Sequence, residues 1–188
     1  MLAEALQLLL DALLQPFAAV LLFRFHAVWL RVPMRNPLGE FVMAVTDFLV
    51  LRARRVIPAA WGLDSATLLL AFGFEFLYLA AFLALQGYAY AHFPLTGLLL
   101  WTAVRLLKLS LYLLIASLLV EALLSWFNPH TPIAPLLAAV NRPFLQPVRR
   151  IMPPLGRVDL SILLLFLVCQ MVLIVIVGGL EQFATRLL

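Results

Sequence analysis

Two short sets of charged residues recur along the chain, and their residue types suit ionic contacts. Each set has two adjacent arginines, a proline three residues after the second arginine, and an aspartate six residues beyond the proline. The eight residues are Arg54, Arg55, Pro58, Asp64, Arg149, Arg150, Pro153 and Asp159. Each aspartate precedes an apolar run, where a carboxylate commonly caps the first turn of a helix. We interpret both aspartates as helix caps, with an ion ligand or a partner for the nearby arginines as the functional alternative.

The two arginine pairs have a simple interpretation of their own. Basic residues beside a membrane segment set its orientation and contact anionic headgroups, each contact being worth about 1 kcal/mol near the surface. The functional alternative is a docking surface for a soluble protein. We therefore expect anionic lipid at the arginine loops, and the sequence leaves a protein partner at the same face open.

Four further polar residues interrupt apolar segments: Arg24, Glu75, Glu121 and Gln170. Glu75 and Gln170 each lie eleven residues after the aspartate of their set, which places them roughly 16 Å into a helix. Ionisable groups inside a membrane are costly, so such a site is a functional candidate, here for cation handling. The simpler interpretation is a protonated Glu75 that hydrogen-bonds a neighbouring helix. Both interpretations stay open.

The sequence contains no spacing that indicates an enzyme, a metal site or a cofactor. Cys169 is the single cysteine, and the three histidines do not share a helix face. Only His26 falls inside a long apolar run, where one ligand at this spacing does not favour haem. No glycine-rich phosphate loop occurs, and nothing places serine, histidine and aspartate as a triad. The net charge of +4 comes from arginines beside apolar segments, which does not indicate nucleic-acid binding.

Composition predicts an all-α membrane protein. The chain is 65% hydrophobic and 12% charged, whereas soluble domains carry about 25% charged residues. Runs of about 20 apolar residues can span a bilayer, and four such spans are predicted, at 9–30, 66–86, 107–127 and 161–180. Arg105 and Lys108 would lie near the outer end of the third span. Residues 88–104 could then be interfacial, re-entrant, or part of a longer third span.

The distribution of basic residues predicts the orientation. Nine of the thirteen lie in the segments 31–58 and 128–158, and none lies in 87–97. Arginine and lysine near membrane ends stay on the cytoplasmic side. Both arginine loops should therefore be cytoplasmic, with both termini on the outer side.

The two arginine loops also carry apolar residues at helical spacing, which predicts amphipathic helices at the membrane surface. In the first loop the apolar face includes Leu38, Phe41 and Val42. In the second loop Pro143 and Pro147 each lack an N–H and crowd the preceding turn, so we predict two short helices there. Asn141 falls among the polar residues of that loop.

An internal repeat relates the two halves of the chain. From the arginine pairs onward, matching residues are separated by a constant 95 positions. We predict two units, 1–90 and 91–188, each with two spans around a cytoplasmic loop. Units in series with the same orientation are parallel repeats.

These motifs resemble the YggT family of bacterial membrane proteins, also called YlmG-like. The family pattern is an arginine pair, a proline, a glycine-containing turn and an aspartate that opens a membrane helix, which corresponds here to residues 54–66 and 147–161. The resemblance covers nearly the whole chain. A proline usually precedes the arginine pair closely; Pro147 supplies it in the second copy, whereas in the first copy the residue before the pair is Ala53.

The resemblance implies a multi-pass protein of the inner (plasma) membrane with no settled catalytic activity. Relatives are linked to osmotic-stress tolerance and cation handling, to cell-division gene neighbourhoods and, in plastids, to cytochrome maturation or nucleoid organisation. We expect a non-enzymatic scaffold or assembly factor without a cofactor, whose basic cytoplasmic face is its working surface. A small cation-handling channel or transporter component is the alternative, and it would favour a homo-oligomer.

Overall fold

The computed structural model of the chain describes residues 2–59, 62–87, 94–128, 130–151 and 159–187. In chain order the helices are α1 (Leu2–Trp29), α2 (Pro37–Ala53), α3 (Ser65–Leu85), α4 (Leu95–Phe127), α5 (Ala134–Ile151), α6 (Leu160–Met171) and α7 (Gly178–Thr185). A π-helical segment, Val172–Val177, joins α6 to α7. Pro153 and residues 88–93 lie outside the described residues, and what the sequence predicts for them stays a prediction.

Four helical segments are long and apolar enough to cross a membrane. They are Ala3–Trp29, Ser65–Leu85, Leu95–Phe127 and Leu160–Thr185. The last one runs from α6 through the π-helical segment into α7. Their number and composition agree with the predicted all-α, multi-pass architecture.

The third of these helices, α4, is 33 residues long, or about 50 Å at helical rise. It includes residues 95–104, which the sequence left as a lead-in or as part of a longer span. This extension is helical because it has packing partners: Leu98 is fully buried in a cluster with Leu79 and Leu83 of α3. Arg105 does not end the helix either, because it forms an ion pair with α3.

Helix α5 is continuous through Pro143 and Pro147, so the prediction of two short helices is wrong. Both prolines are exposed. They leave the carbonyl groups of Ala139 and Pro143 without an intrahelical N–H partner, a loss that other polar groups can make good. The buried side carries Leu136, Val140 and Leu145.

Helix α2 begins at a well-formed cap and packs on α1 through a narrow stripe. Asn36 accepts a hydrogen bond from the Gly39 backbone N–H at 3.0 Å, and Pro37 occupies the first helical turn, both common at helix starts. The buried residues are Gly39, Val42, Thr46 and Val50. Phe41, predicted on the same apolar face as Val42, is 56% exposed, because the buried stripe centres on Val42 and Thr46.

Helix α4 lies at the centre of the molecule, since it contributes to every apolar cluster of the described residues. On one side, Leu106 packs with Leu21 and Leu22 of α1 and Ala71 of α3. On the other side, Leu118 packs with α5, α6 and the π-helical segment. Helices α1 to α3 and helices α5 to α7 are therefore held together largely through α4.

The π-helical segment sets which face of the last span meets α4. The buried residues of this last span, from α6 into the π-helical segment, follow a spacing of four: Ser161, Leu165, Cys169, Leu173 and Val177. In a regular α-helix a spacing of four drifts by about 40° per step, so the face would turn away. Because π-helical turns hold more residues, they reduce this drift. The next residue in the series, Glu181, accordingly faces α4.

Candidate functional site

Each recurrent aspartate binds the first arginine of its own set. Arg54 Nε donates to Asp64 Oδ1 at 3.2 Å, and Arg149 donates to Asp159 Oδ2 from Nε at 3.1 Å and from Nη2 at 2.6 Å. The same carboxylates cap the helices that follow, Asp159 through the Ser161 backbone N–H at 3.0 Å. Capping and arginine pairing therefore coexist at both aspartates.

The turn before Asp64 holds this arrangement in place. The Pro58 carbonyl accepts a hydrogen bond from Ser65 Oγ at 2.6 Å, which ties the start of the turn to the first residue of α3. Gly62 has a φ of 76°, a left-handed conformation that glycine adopts without strain. The matching proline, Pro153, lies outside the described residues.

These contacts change the acidity of both aspartates. Burial raises the pKa of Asp64, but hydrogen bonds from Arg54 and Thr67 outweigh it, so its pKa lies below the ordinary 3.8. The same balance of burial against hydrogen bonds from Arg149 and Ser161 lowers the pKa of Asp159. Both aspartates are therefore carboxylates at neutral pH, as an arginine partner requires.

The second arginine of each set behaves differently. Arg55 and Arg150 are exposed, and neither makes a side-chain hydrogen bond or ion pair with another residue that the structure describes. Within the two arginine loops, four further arginines share both properties. We call all six the exposed arginine surface: Arg31, Arg35, Arg52, Arg55, Arg142 and Arg150.

Inside the spans, Glu75 forms an ion pair with a cation on another helix. Arg105 Nε donates to Glu75 Oε1 at 2.8 Å, and the Glu75 side chain is only 4% exposed. The Arg105 guanidinium also lies 5.5 Å from the centre of the Tyr78 ring, close enough for a cation–π contact. Tyr78 Oη in turn donates to Asp11 Oδ1 at 2.7 Å. This chain of contacts joins α3 to both α4 and α1.

A polar cavity of about 280 Å³ lies beside this ion pair. Its lining residues are Gln15, Glu75, Arg105, Lys108, Leu109 and Tyr112. Lys108 Nζ also donates to Glu181 Oε2 of α7 at 2.6 Å. Gln170, which the repeat places at the position equivalent to Glu75, does not line the cavity. The structure therefore does not bring the two together.

Arg24 and Glu121 join the spans to the loop helices. Buried Arg24 donates to Thr46 Oγ1 at 2.6 Å and forms an ion pair with Asp47 at 2.7 Å, linking α1 to α2. In the second half, Asn141 Nδ2 of α5 donates to Glu121 Oε2 of α4 at 2.6 Å.

The two loop-helix partners, Thr46 and Asn141, are both fully buried and lie 95 residues apart, the offset of the arginine pairs. Neither residue stands out in the sequence as a buried contact, and Asn141 falls there among the polar residues of its loop. The partners Tyr78, Asp11 and Glu181 do not stand out either. The shared offset of 95 residues was the available signal for Thr46 and Asn141. The other three partners could not be predicted from the sequence, because contacts between helices depend on how each helix is rotated.

The arrangement can do two things chemically. Two ion pairs, Arg105 with Glu75 and Lys108 with Glu181, join helices within the spans. The exposed arginine surface offers uncompensated positive charge on and around α2 and α5. No group of histidine, cysteine, aspartate and glutamate side chains among the described residues could hold a metal ion.

Comparison with known proteins gives consistent matches over most of the chain. The family model CCB3/YggT matches residues 3–85 and 100–180. The uncharacterized protein YggT of Escherichia coli is 32% identical over 170 residues, covering 90% of this chain and 87% of that protein. An uncharacterized protein of Pseudomonas aeruginosa is 30% identical over 166 residues, covering 87% of this chain and 84% of that protein. No solved structure matches.

Proposed function

The chain belongs to the CCB3/YggT family, and from that membership we propose that it is a non-enzymatic scaffold or assembly factor of the inner membrane, with a role in tolerance of osmotic stress. Its working surface would be the exposed arginine surface. Anionic lipid headgroups would hold part of this surface, and an acidic face of a soluble partner would dock on the rest. This proposal needs no catalytic residue and no cofactor.

The observation that carries the proposal is the division of roles within each arginine pair. Arg54 and Arg149 are bound to the aspartates that cap the next helices. Arg55 and Arg150 sit beside them, exposed and unpaired among the described residues. A pair needed only for local structure would not require the second arginine. Such fixed, uncompensated charge is suited to recognising anionic groups.

We also propose that the chain is built from two parallel tandem units, 1–90 and 91–188. Three equivalences support this interpretation: the two arginine–aspartate pairs, the buried loop-helix residues Thr46 and Asn141, and the two segments matched by one family model. The charge of the bound partner differs between the units, since Thr46 accepts a hydrogen bond from the cation Arg24 whereas Asn141 donates one to the anion Glu121.

In the membrane, we place α2 and α5 at the cytoplasmic interface and both termini outside. The exposed arginine surface would then lie on the cytoplasmic side, as the distribution of basic residues requires. Exposed apolar residues on α2, Phe41 at 56% and Phe48 at 58%, would enter the headgroup region.

Site-specific photocrosslinking in native membranes tests the scaffold proposal. A photoreactive residue at Val56 or Ile151, which are 82% and 83% exposed, stands directly beside Arg55 or Arg150. We expect protein adducts at these positions. The matched control is Ile174, which is 72% exposed on the π-helical segment and should give lipid adducts. Only lipid or self-adducts at Val56 and Ile151 would count against a scaffold.

The polar cavity beside Glu75 is the observation that favours a second candidate function, cation handling. Its lining makes a cation path less suitable, because Arg105 and Lys108 line it together with a single acid. Leu109, which lines the cavity, packs against an apolar cluster that contains the buried residues Leu21, Leu22 and Ala71. A path would have to pass this apolar cluster.

An ion-flux assay in liposomes separates the two candidates. We expect purified, folded protein to give no cation flux above that of empty liposomes. A flux that disappears in Glu75→Gln but persists in Gln170→Leu would instead support the cation-handling candidate and contradict the closed arrangement around Glu75.

A further inference from the structure

A second cavity, separate from the polar one, lies where α1, α4 and α5 meet. Its volume is about 260 Å³, and it shares no lining residue with the polar cavity. Aromatic rings from two helices line it: Phe23 and Trp29 from α1 and Phe144 from α5. Leucines of α4 supply most of the remaining wall, and His26 and Ser110 are its polar members.

The hydrogen bonds of these two polar residues decide what the cavity can recognise. His26 Nδ1 lies 2.7 Å from the Leu22 carbonyl oxygen. A carbonyl only accepts, so Nδ1 carries the proton and Nε2 of the neutral ring is an acceptor. Nε2 has no partner among the described residues. Because Nδ1 is tied back to α1, the Nε2 edge of the ring points away from that helix.

Ser110, like His26, is left as a hydrogen-bond acceptor. Its hydroxyl donates to the Leu106 carbonyl at 2.9 Å, which uses its only proton and leaves its lone pairs. Both polar groups of the cavity therefore accept hydrogen bonds. A buried ligand that offered only acceptors would leave them unsatisfied, at a cost in affinity.

We propose that this cavity binds the hydroxyl-bearing aromatic ring of a membrane-soluble phenol or hydroquinone. The hydroxyl donates to His26 Nε2, and the ring lies against Phe23, Trp29 and Phe144, where aromatic rings pack favourably. The size agrees, since an apolar cavity of roughly 150 Å³ is enough to hold benzene. The apolar tail of the ligand would leave between α1 and α4 into the lipid. This site is independent of the exposed arginine surface.

A matched pair of probes tests the hydrogen bond directly. Para-decylphenol and para-decylanisole have the same ring and tail, but only the phenol can donate. Protein in lipid nanodiscs with ¹⁵N-labelled histidine is titrated with each, and the His26 Nε2 resonance reports binding. We expect the phenol to shift this resonance and to bind about five-fold more tightly than the anisole, which is measured by competition.

Two variants localise the effect. His26→Phe keeps an aromatic ring beside Phe25 and Trp29 but removes the acceptor, so the preference for the phenol should vanish. His130→Phe, at an exposed residue outside the cavity, should keep it. Equal binding of the two probes to the unaltered protein, tighter binding of the anisole, or an unchanged preference in His26→Phe would overturn the proposal.

Discussion

At the scale of single residues, nearly every ionisable side chain within the spans has a partner of opposite or complementary character. Glu75 has Arg105, Lys108 has Glu181, and Arg24 has Asp47. The sequence pointed to Glu75 and Arg24 because charge inside an apolar run is conspicuous. It could not assign their partners, since those lie 23 to 30 positions away and depend on how two helices are rotated.

Substitution of Asp64 separates its two roles. Asparagine is as good a helix cap as aspartate but has no charge, so Asp64→Asn should lose only the arginine pair, about 0.5–1 kcal/mol of unfolding free energy. Asp64→Ala should lose about 1 kcal/mol more, because the cap disappears as well. Both values can be measured by reversible unfolding in mixed detergent micelles. Equal losses in the two variants would mean that the charge, and not the cap, explains the whole effect.

The lowered pKa of both aspartates predicts how stability depends on pH. A carboxyl group whose pKa is lower in the folded protein binds a proton more readily when unfolded. Its stabilisation is therefore present above the ordinary value of 3.8 and is lost as the pH falls through the lower, folded value. Unfolding free energy should decline over that acidic range, and the decline should be smaller in a variant with Asp64→Asn and Asp159→Asn together.

The ion pair between Glu75 and Arg105 makes a different prediction. Arg105→Leu alone leaves Glu75 buried without its counter-ion and should cost roughly 3 kcal/mol. The double variant Glu75→Leu with Arg105→Leu should come within about 1 kcal/mol of the unaltered protein, because a buried pair can be replaced by apolar side chains at little cost. Gln170→Leu is the control and should be nearly neutral. An additive loss in the double variant would show that the two residues do not act as a pair.

At the scale of helices, the sequence predicted the existence of the spans but not how far each helix extends. Long apolar runs identify membrane helices because composition alone decides them. How far a helix extends depends instead on its surroundings. Helix α5 continues through two exposed prolines, and the start of α4 is helical because Leu98 is buried against α3. Nothing in the composition of Val172–Val177 indicates a π-helical segment.

The start of α2 gives a prediction with an internal control. Gly39 is buried, and a Cβ there would overlap the Met34 carbonyl group. Gly39→Ala should therefore shift the α2 entry and cost about 1–3 kcal/mol. Gly73, within α3, has open space around the equivalent position, so Gly73→Ala should be neutral or stabilising. Thermal unfolding of both variants in the same detergent checks this, and a tolerated Gly39→Ala would refute the close approach.

At the scale of the whole molecule, the proposed orientation can be tested by cysteine labelling after Cys169→Ser. We expect Arg52→Cys and Arg142→Cys, both exposed, to react with a membrane-impermeant reagent only once the inner membrane is permeabilised. Gln86→Cys, exposed after α3, should react from the outer side in intact spheroplasts. Labelling of Arg52→Cys from outside would reverse the orientation.

The offset of 95 residues, read from the arginine pairs, anticipated contacts that only the structure displays. It relates Thr46 to Asn141 as well as Arg54 to Arg149. What it could not anticipate is where the halves differ: Arg24 meets Thr46 in the first, whereas Glu121 meets Asn141 in the second. The partner of each buried polar residue is set by its own helix pair and not by the repeat.

The central claim is that the exposed arginines, and not the bound ones, carry the function. Crosslinking yield from Val56 and Ile151 to partner proteins, compared between two double variants, tests it most directly. Arg55→Gln with Arg150→Gln should abolish most of the protein adducts while leaving thermal stability unchanged, because neither side chain has a partner among the described residues. Arg54→Lys with Arg149→Lys keeps the charge and should retain the adducts. Undiminished adducts in the Arg55 and Arg150 variant would contradict the claim.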